Sequence, residues 1–501
     1  MQNTEELFRK YTDAETFSKI VDFDSVSQMW EHSVNTYPNN EAIVDGEKVT
    51  YLELENQVAI LRGELLSKGV KKGDRVGLLI PNSLFFVKAY LAVTTLGACA
   101  VLLPAHLDEI TVFGCSLKFN LSALIYDSNL AQKTTVISAK NPKVVLIDEK
   151  GGDFAPANLV KVEKTAPSTI IFTGGTTGKS KGALLSNQAI IRGAKNGCYG
   201  IKEVFEQRLF LVLPLTHVFG LIRTLLSSLY TGSSLYICRN TQNMFKEIPI
   251  FKPTTLILVP ALAEMALNLS KQFNRNMLGS DVKTIICGAA TVAPYLAKEY
   301  DKLGINLFPG YGLTESANLV SGNPIPLEDS TSVGFIYPGI DYKIVDDELW
   351  IKGINVFDGY VGDDEETALA FEEGYFKTGD LVKVNENGML YITGRKKEII
   401  VLSSGENVYP AEIENKIYEL DTVKDCLVYE YNQSLYLEIL PREEVVKSLG
   451  ITDLQGYYQE KIDEINKTLA PYERINVIII RTEDFVRSPA MKILRSKNGK
   501  K

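Results

Sequence analysis

Strand-then-helix order along most of the chain predicts an α/β fold of parallel sheets covered by helices. Short apolar runs alternate with amphipathic stretches from about residue 40 to residue 320. From about residue 330 the texture turns β-rich, with tight turns around runs at 342–345, 348–351 and 388–392. After Arg395 a charged run, Lys396-Lys397-Glu398, leads into a new small unit with helical patterns at 411–420 and 454–469. These observations divide the chain into a large domain over residues 1–395 and a small one over residues 396–501.

The unit easiest to read in the first domain is the run at 75–80, the stretch at 84–96 and the run at 98–103, which form strand, helix and strand. Further strands are expected at 168–172, at 305–308 and in the run ending at Cys287. Ligands of parallel sheets sit at the carboxyl ends of strands, so a site is expected in the segments that follow these three. The most apolar long window, 210–230, contains His217 and Arg223 and reads as a buried strand–turn–helix rather than a membrane span. Residues 496–501 are expected to be disordered.

A chain of 501 residues exceeds the size at which single cores stop growing, which agrees with two domains. Its net charge of −9 argues against general nucleic-acid binding. The opening residues, Met1 to Glu6, are polar and acidic and lack the apolar stretch of a signal peptide. The six cysteines (Cys99, Cys115, Cys198, Cys238, Cys287, Cys426) are scattered, with no C-x-x-C pair. Reduced core cysteines in a cytoplasmic protein are expected, without a structural zinc site.

The chemistry concentrates in Thr173-Gly174-Gly175-Thr176-Thr177-Gly178-Lys179-Ser180-Lys181-Gly182, directly after an apolar strand. Glycines let backbone N–H groups turn onto a ligand, and threonine hydroxyls and lysines add donors and positive charge, a combination suited to polyphosphate. Gly178-Lys179-Ser180 matches the end of a P-loop, but the required first glycine falls on Thr173. A P-loop nucleotidase, releasing ADP or inorganic phosphate, stays as one alternative.

The segment resembles instead the signature of adenylate-forming enzymes, which include acyl- and aryl-CoA synthetases, peptide-synthetase adenylation domains and beetle luciferases. Ser180 stands where that pattern has proline. Ala42-Ile43-Val44-Asp45-Gly46, Gly73-Asp74-Arg75-Val76 and Pro81-Asn82-Ser83 are similar to the family's opening subdomain. The resemblance implies a large N-terminal domain of two helix-covered sheets plus a β-barrel, with a small mobile C-terminal α+β domain. It also implies ATP and Mg²⁺ as reactants, CoA as the acyl acceptor, and a nucleotide site of Thr173, Gly174, Gly175, Thr176, Thr177, Gly178 and Lys181. To these it adds Gly288, Ala289 and Ala290, then Gly310, Tyr311, Gly312 and Thr314, and finally Asp380, Ile392, Arg395 and Lys492.

Residue types agree with these roles. An ATP site needs an aromatic face, a hydroxyl and a carboxylate for Mg²⁺; Tyr311, Thr314 and Glu315 are of those types. Asp380 suits a ribose diol. Small residues at Cys287-Gly288-Ala289-Ala290 let a planar ring or acyl group lie against the backbone. Each pattern alone also fits an ordinary strand-end turn. By resemblance, Lys492 in Arg487-Ser488-Pro489-Ala490-Met491-Lys492 is the catalytic lysine, bridging carboxylate and α-phosphate; a plain basic tail is the other reading. Lys397 aligns with the hinge position, against a solvated charge run, and Gly405 with the wall of the thiol channel, against a plain turn.

Pro214-Leu215-Thr216-His217-Val218-Phe219-Gly220 places His217 at the junction of the ATP and acid sites in the family. The pattern by which amino-acid-adenylating relatives pair the substrate amine is missing here, so an acid without an α-amino group is favoured. His217, Val218, Phe219, Ala289 and Leu313 describe an apolar pocket for an aliphatic or aromatic acid. Arg223 either reads a second carboxylate there or snorkels to the surface or pairs elsewhere. The expected function is an ATP-dependent carboxylate–CoA ligase that forms an acyl-AMP and releases pyrophosphate. A ligase loading a carrier-protein phosphopantetheine and a non-catalytic nucleotide-binding homologue are the alternatives besides the P-loop one. No nucleic acid and no membrane-spanning segment are expected.

Overall fold

The computed structural model describes residues 4–173, 181–402, 406–487 and 493–499. Gly174, Gly175, Thr176, Thr177, Gly178, Gly405 and Lys492 therefore lie outside the described residues.

Two large sheets form the body of the chain. The first has seven strands in the order Gly359–Tyr360, Lys181–Ser186, Pro167–Thr173, Cys99–Leu102, Arg75–Leu79, Ala123–Tyr126 and Val145–Asp148. Its centre is parallel, as the strand–helix–strand order requires: Arg75–Leu79, the helix Leu84–Thr95 and Cys99–Leu102 match the expected unit closely. Both faces of that centre are buried. Along Cys99–Leu102, Ala100 and Leu102 enter the main core while Cys99 and Val101 enter a second cluster with Val112, Phe119 and Ile170. The helix is held at its start by Ser83, whose hydroxyl accepts from the Phe86 amide.

The second sheet has nine strands, including in spatial order Asn306–Tyr311, Thr284–Cys287, Thr255–Leu258, Arg208–Leu211 and Ser234–Ile237. Its middle is parallel. Both sheets depart from the purely parallel expectation at their edges, where short connections return the chain antiparallel: Pro167–Thr173 with Lys181–Ser186, and Asn306–Tyr311 with Ser321–Gly322.

Five antiparallel strands follow, Ile340–Val345, Glu348–Gly353, Phe371–Glu372, Tyr375–Val384 and Leu390–Arg395, where the β-rich texture was read. The small unit after them has its own core, from Val408 to Ile478, built by the helices Pro410–Tyr418 and Leu454–Asn466 against the strands Val423–Tyr431, Ser434–Pro441 and Val477–Ile480. The expected disorder at 496–501 needs correction for Asn498. Its side chain accepts from the Val486 amide at 2.9 Å and donates to the Val486 and Leu494 carbonyls at 2.9 and 2.8 Å. Among the described residues no helix is long and apolar enough to cross a membrane.

Candidate functional site

The candidate site lies where the carboxyl ends of the second sheet meet the edge hairpin of the first. Strands Pro167–Thr173 and Lys181–Ser186 pair antiparallel, with Thr173 opposite Lys181. A P-loop opens a helix; the chain here returns to the sheet as a strand, which removes the P-loop alternative. The short helical turn Thr314–Ser316 packs against both strands.

Asn306–Tyr311 carries Tyr311 to the end of its strand, and Tyr311 Oη donates to Asp380 Oδ2 at 2.5 Å. Asp380 is buried at 1% exposure and stands directly across from Arg395, whose Nε lies 2.8 Å from Asp380 Oδ1. The Asp380 amide donates to Thr378 Oγ1 at 3.1 Å, fixing the backbone at this point. Burial beside Asp380 holds the Tyr311 phenol well above its usual range, and Asp380 in turn raises the Arg395 guanidinium. Three predicted residues from three segments thus form one hydrogen-bonded group. Ile392 sits on the Arg395 strand, three residues before it.

Glu315 accepts from Tyr360 Oη at 2.8 Å through Oε1; Oε2 has no hydrogen-bond partner among the described residues. A half-buried carboxylate with an open oxygen fits Mg²⁺, which is held by one or two carboxylates plus substrate phosphates. Tyr360 lies on the strand that pairs with Lys181–Ser186, and the Lys181 ammonium sits 4.9 Å above its ring while pairing with Glu366. Burial and the adjacent Glu315 push the Tyr360 phenol up. Tyr360 and Glu366 were missed in the sequence: neither belongs to a motif, and Tyr360 reaches Glu315 only through strand topology.

Close backbone approach explains the glycines. A Cβ at Gly312 would stand 1.3 Å from the Asn318 carbonyl oxygen, and one at Gly288 3.0 Å from the Gly310 oxygen and 3.6 Å from Phe219 Cζ. Ala289 takes φ +69°, a region L-residues rarely adopt. Gly288, Gly310 and Phe219 are therefore neighbours, with Ala289, Val218 and Leu313 packed on the same core. The His217 amide donates to the Pro214 carbonyl, and its carbonyl accepts from Leu221 at 2.8 Å, starting a π-helix, Phe219–Leu226. Ala290 follows this turn.

Two predictions fare differently. Lys397 is exposed in the 3₁₀ turn Lys396–Glu398, while neighbouring Lys396 pairs with Glu348 at 2.8 Å. Arg223 does not snorkel and does not pair elsewhere: it is 4% exposed, with no hydrogen bond or ion pair among the described residues. Burial pulls its guanidinium down. The segment bearing Lys492 is flanked by Arg487 and Ile493, which form an isolated antiparallel bridge. On either side Arg487 pairs with Asp425 at 2.5 Å and Arg495 with Glu414 at 2.5 Å.

Residues 30–361 match the family described as AMP-binding enzyme, and residues 397–501 match the AMP-binding enzyme C-terminal domain. The chain is 26% identical over 488 residues to peroxisomal OPC-8:0-CoA ligase 1 of Arabidopsis thaliana, covering 90% of this chain and 88% of that one. It is 30% identical over 464 residues to a long-chain-fatty-acid–CoA ligase of Escherichia coli O6:H1, covering 80% and 82%. An anthranilate CoA ligase crystallised with anthranoyl-AMP superposes with a TM-score of 0.81 at 20% identity over 94% of this chain and 96% of that chain, a likeness of fold. Helix-covered sheets meeting a small C-terminal unit are the architecture of adenylate-forming enzymes. This chain belongs to the AMP-binding enzyme family, in its acyl- and aryl-CoA ligase branch.

Proposed function

We infer that the protein, an AMP-forming carboxylate–CoA ligase, runs both half-reactions where its two large sheets meet, with residues 1–395 binding ATP and acid and 396–501 moving. The observation that supports this reading is the convergence of Tyr311, Asp380 and Arg395 in one hydrogen-bonded group, beside Glu315 and the strands flanking the glycine loop. In the first half-reaction a carboxylate oxygen forms a bond to the α-phosphorus of ATP, and the bond to pyrophosphate breaks. Such transfer is mostly positioning and electrostatics.

The 173–181 loop takes the phosphates, and Thr314 takes the α-phosphate. Tyr311 faces adenine, opposite the Gly288-Ala289-Ala290 turn. Asp380, held in place by Tyr311 and Arg395, is the carboxylate that accepts from ribose. Lys492 bridges the reacting carboxylate and the α-phosphate. Glu315 is the residue that would hold Mg²⁺, and the ion when bound supplies neutralisation of phosphate charge. His217, Val218, Phe219, Ala289 and Leu313 line the acid. In the second half-reaction the small unit turns about Lys397, withdraws Lys492 and presents Gly405. The CoA sulfur then forms a bond to the acyl carbon, AMP leaves, and the thiol proton passes to solvent. Buried free thiols at all six cysteines support a cytoplasmic place.

Pyrophosphate release across a panel of acids, with CoA, with a phosphopantetheinylated carrier protein and with neither, tests the reaction and its acceptor. Lys492→Ala is expected to abolish adenylation while largely sparing thioester formation from supplied acyl-adenylate. Equal loss of both steps would count against the assignment.

A further inference from the structure

A guanidinium cannot shed its proton in a protein, so one buried without a counter-ion is left for something else to satisfy. Arg223 is in that state: 4% exposed, unpaired among the described residues and facing a cavity. The cavity lies between the second sheet, through Leu209, Thr255 and Ile286, and the helical segment carrying Arg223 and Ser227, with Glu203 and Gln207 among its other polar groups. A second buried polar group stands unsatisfied nearby. Asn196 is 0% exposed and neither its Oδ1 nor its Nδ2 has a partner among the described residues; the next residue, Gly197, is so close that a Cβ there would stand 3.0 Å from Arg223 Nη1.

The position relates this cavity to the acid site. Phe219 and Arg223 are four residues apart on one helical segment and so share a face. Phe219 reaches Gly288, at the carboxyl end of its strand, whereas Ile286, two residues earlier on the same strand, lines the cavity beside Arg223. Arg223 therefore lies about 7 Å deeper than the end at which the reacting carboxylate is held, at ~3.3 Å per strand residue. The cavity, about 20 Å³, has room for one water molecule or a small terminal group and not for a long alkyl tail.

Resting on the ligase reading above, we propose that Arg223 determines the substrate class: an acid of short to medium length bearing a second anionic group, which Arg223 pairs at the floor of the pocket. A methylene tail would leave the guanidinium both dry and unpaired, so long-chain monocarboxylic acids are rejected even though several relatives are named for them.

The test measures ATP- and CoA-dependent pyrophosphate release with the diacids succinate through sebacate against the monoacids butyrate through decanoate. The intact enzyme should prefer its best diacid over the matched monoacid by about 100-fold or more in kcat/KM, since a polar site rejects an analogue that leaves it unpaired. Arg223→Leu should raise the diacid KM with kcat changing less, and improve the monoacid. Arg223→Lys should rescue only part of the diacid preference, because the fork geometry is lost. The same diacid should raise the melting temperature of the intact enzyme and not of Arg223→Leu, a readout independent of turnover. Equal activity with monoacids, or Arg223→Leu kinetics unchanged, overturns the proposal and leaves the ligase standing. No pyrophosphate with any acid overturns both.

Discussion

Tyr360 shows how much one side chain organises the part of the candidate site that the proposed function gives to the phosphates. Its hydroxyl holds Glu315 at 2.8 Å, its ring lies beneath the Lys181 ammonium, and its edge meets Phe357 at 4.8 Å between centroids. Replacing it by phenylalanine keeps the ring contacts and removes only the donor to Glu315. A hydrogen bond to a charged group contributes about 1.5–3 kcal/mol when buried, and water can take over part of this at a half-buried carboxylate. Tyr360→Phe is therefore expected to raise the Mg²⁺ concentration for half-maximal activity by about five- to tenfold, with the melting temperature nearly unchanged. A magnesium titration of pyrophosphate release, alongside a thermal melt, reads both. Unchanged magnesium dependence would mean that Glu315 is oriented by other groups.

The elements around the site differ in how openly the sequence announces them. The strand–helix–strand unit from 75 to 103 is legible because apolar period and turn residues agree there with its final burial. Asp380 and Arg395 were each legible by resemblance, but their face-to-face pairing was not. It depends on an antiparallel register that shifts between Leu381 and Val382, information that no local window contains. The π-helix Phe219–Leu226 was read only as helix. Its extra width is supported by Thr224 and Ser227 hydroxyls reaching back five residues to the Phe219 and Ile222 carbonyls, a pattern that apolar period does not register. The strand after the glycine loop was not read in the sequence, and it is this strand that fixes Lys181 next to Glu366 on the helix Asp364–Ala370. The Glu366 side chain is 50% exposed, so the ion pair adds at most about 1 kcal/mol to stability. On the proposed function, in which Lys181 takes a phosphate, Glu366 competes for the same ammonium. Glu366→Gln is expected to lower the KM for ATP by about two- to fivefold and to leave unfolding within about 0.5 kcal/mol of the parent. A KM that rises would show that Glu366 orients Lys181 toward the nucleotide rather than withholding it.

At the scale of the whole molecule, two separately cored bodies must stay associated and still move if both half-reactions are to share one site. One part of their contact is the Lys383–Glu412 ion pair at 2.7 Å; another is Arg442, 5% exposed, which leaves the end of the strand Ser434–Pro441 and lies 3.9 Å over the ring of Tyr295. Its Nη2 is 3.4 Å from Glu264 Oε1, a carboxylate that burial pushes upward in pKa. Arg442 Nε has no hydrogen-bond partner among the described residues. A long ion pair, a stacked ring and an unsatisfied donor make the Arg442 part of this contact one of intermediate strength. Losing the stacked cation costs about 1–2 kcal/mol, a factor of roughly five to thirty in the population of the undocked form. Arg442→Ala should accordingly speed tryptic cleavage at the Lys396-Lys397 junction by about that factor, because local opening governs cutting when reclosing is fast. Arg442 also donates to the Val423 carbonyl at 3.0 Å within the small unit, so the variant alone would confuse undocking with local unfolding. Glu264→Gln, on the other side of the contact, removes the charge attraction and leaves that internal bond intact. It should speed cleavage in the same direction by a smaller factor, with the melting temperature of the small unit unchanged. If Glu264→Gln leaves cleavage untouched while Arg442→Ala accelerates it and lowers that melting temperature, Arg442 serves the fold of its own unit and the two bodies are held by something else.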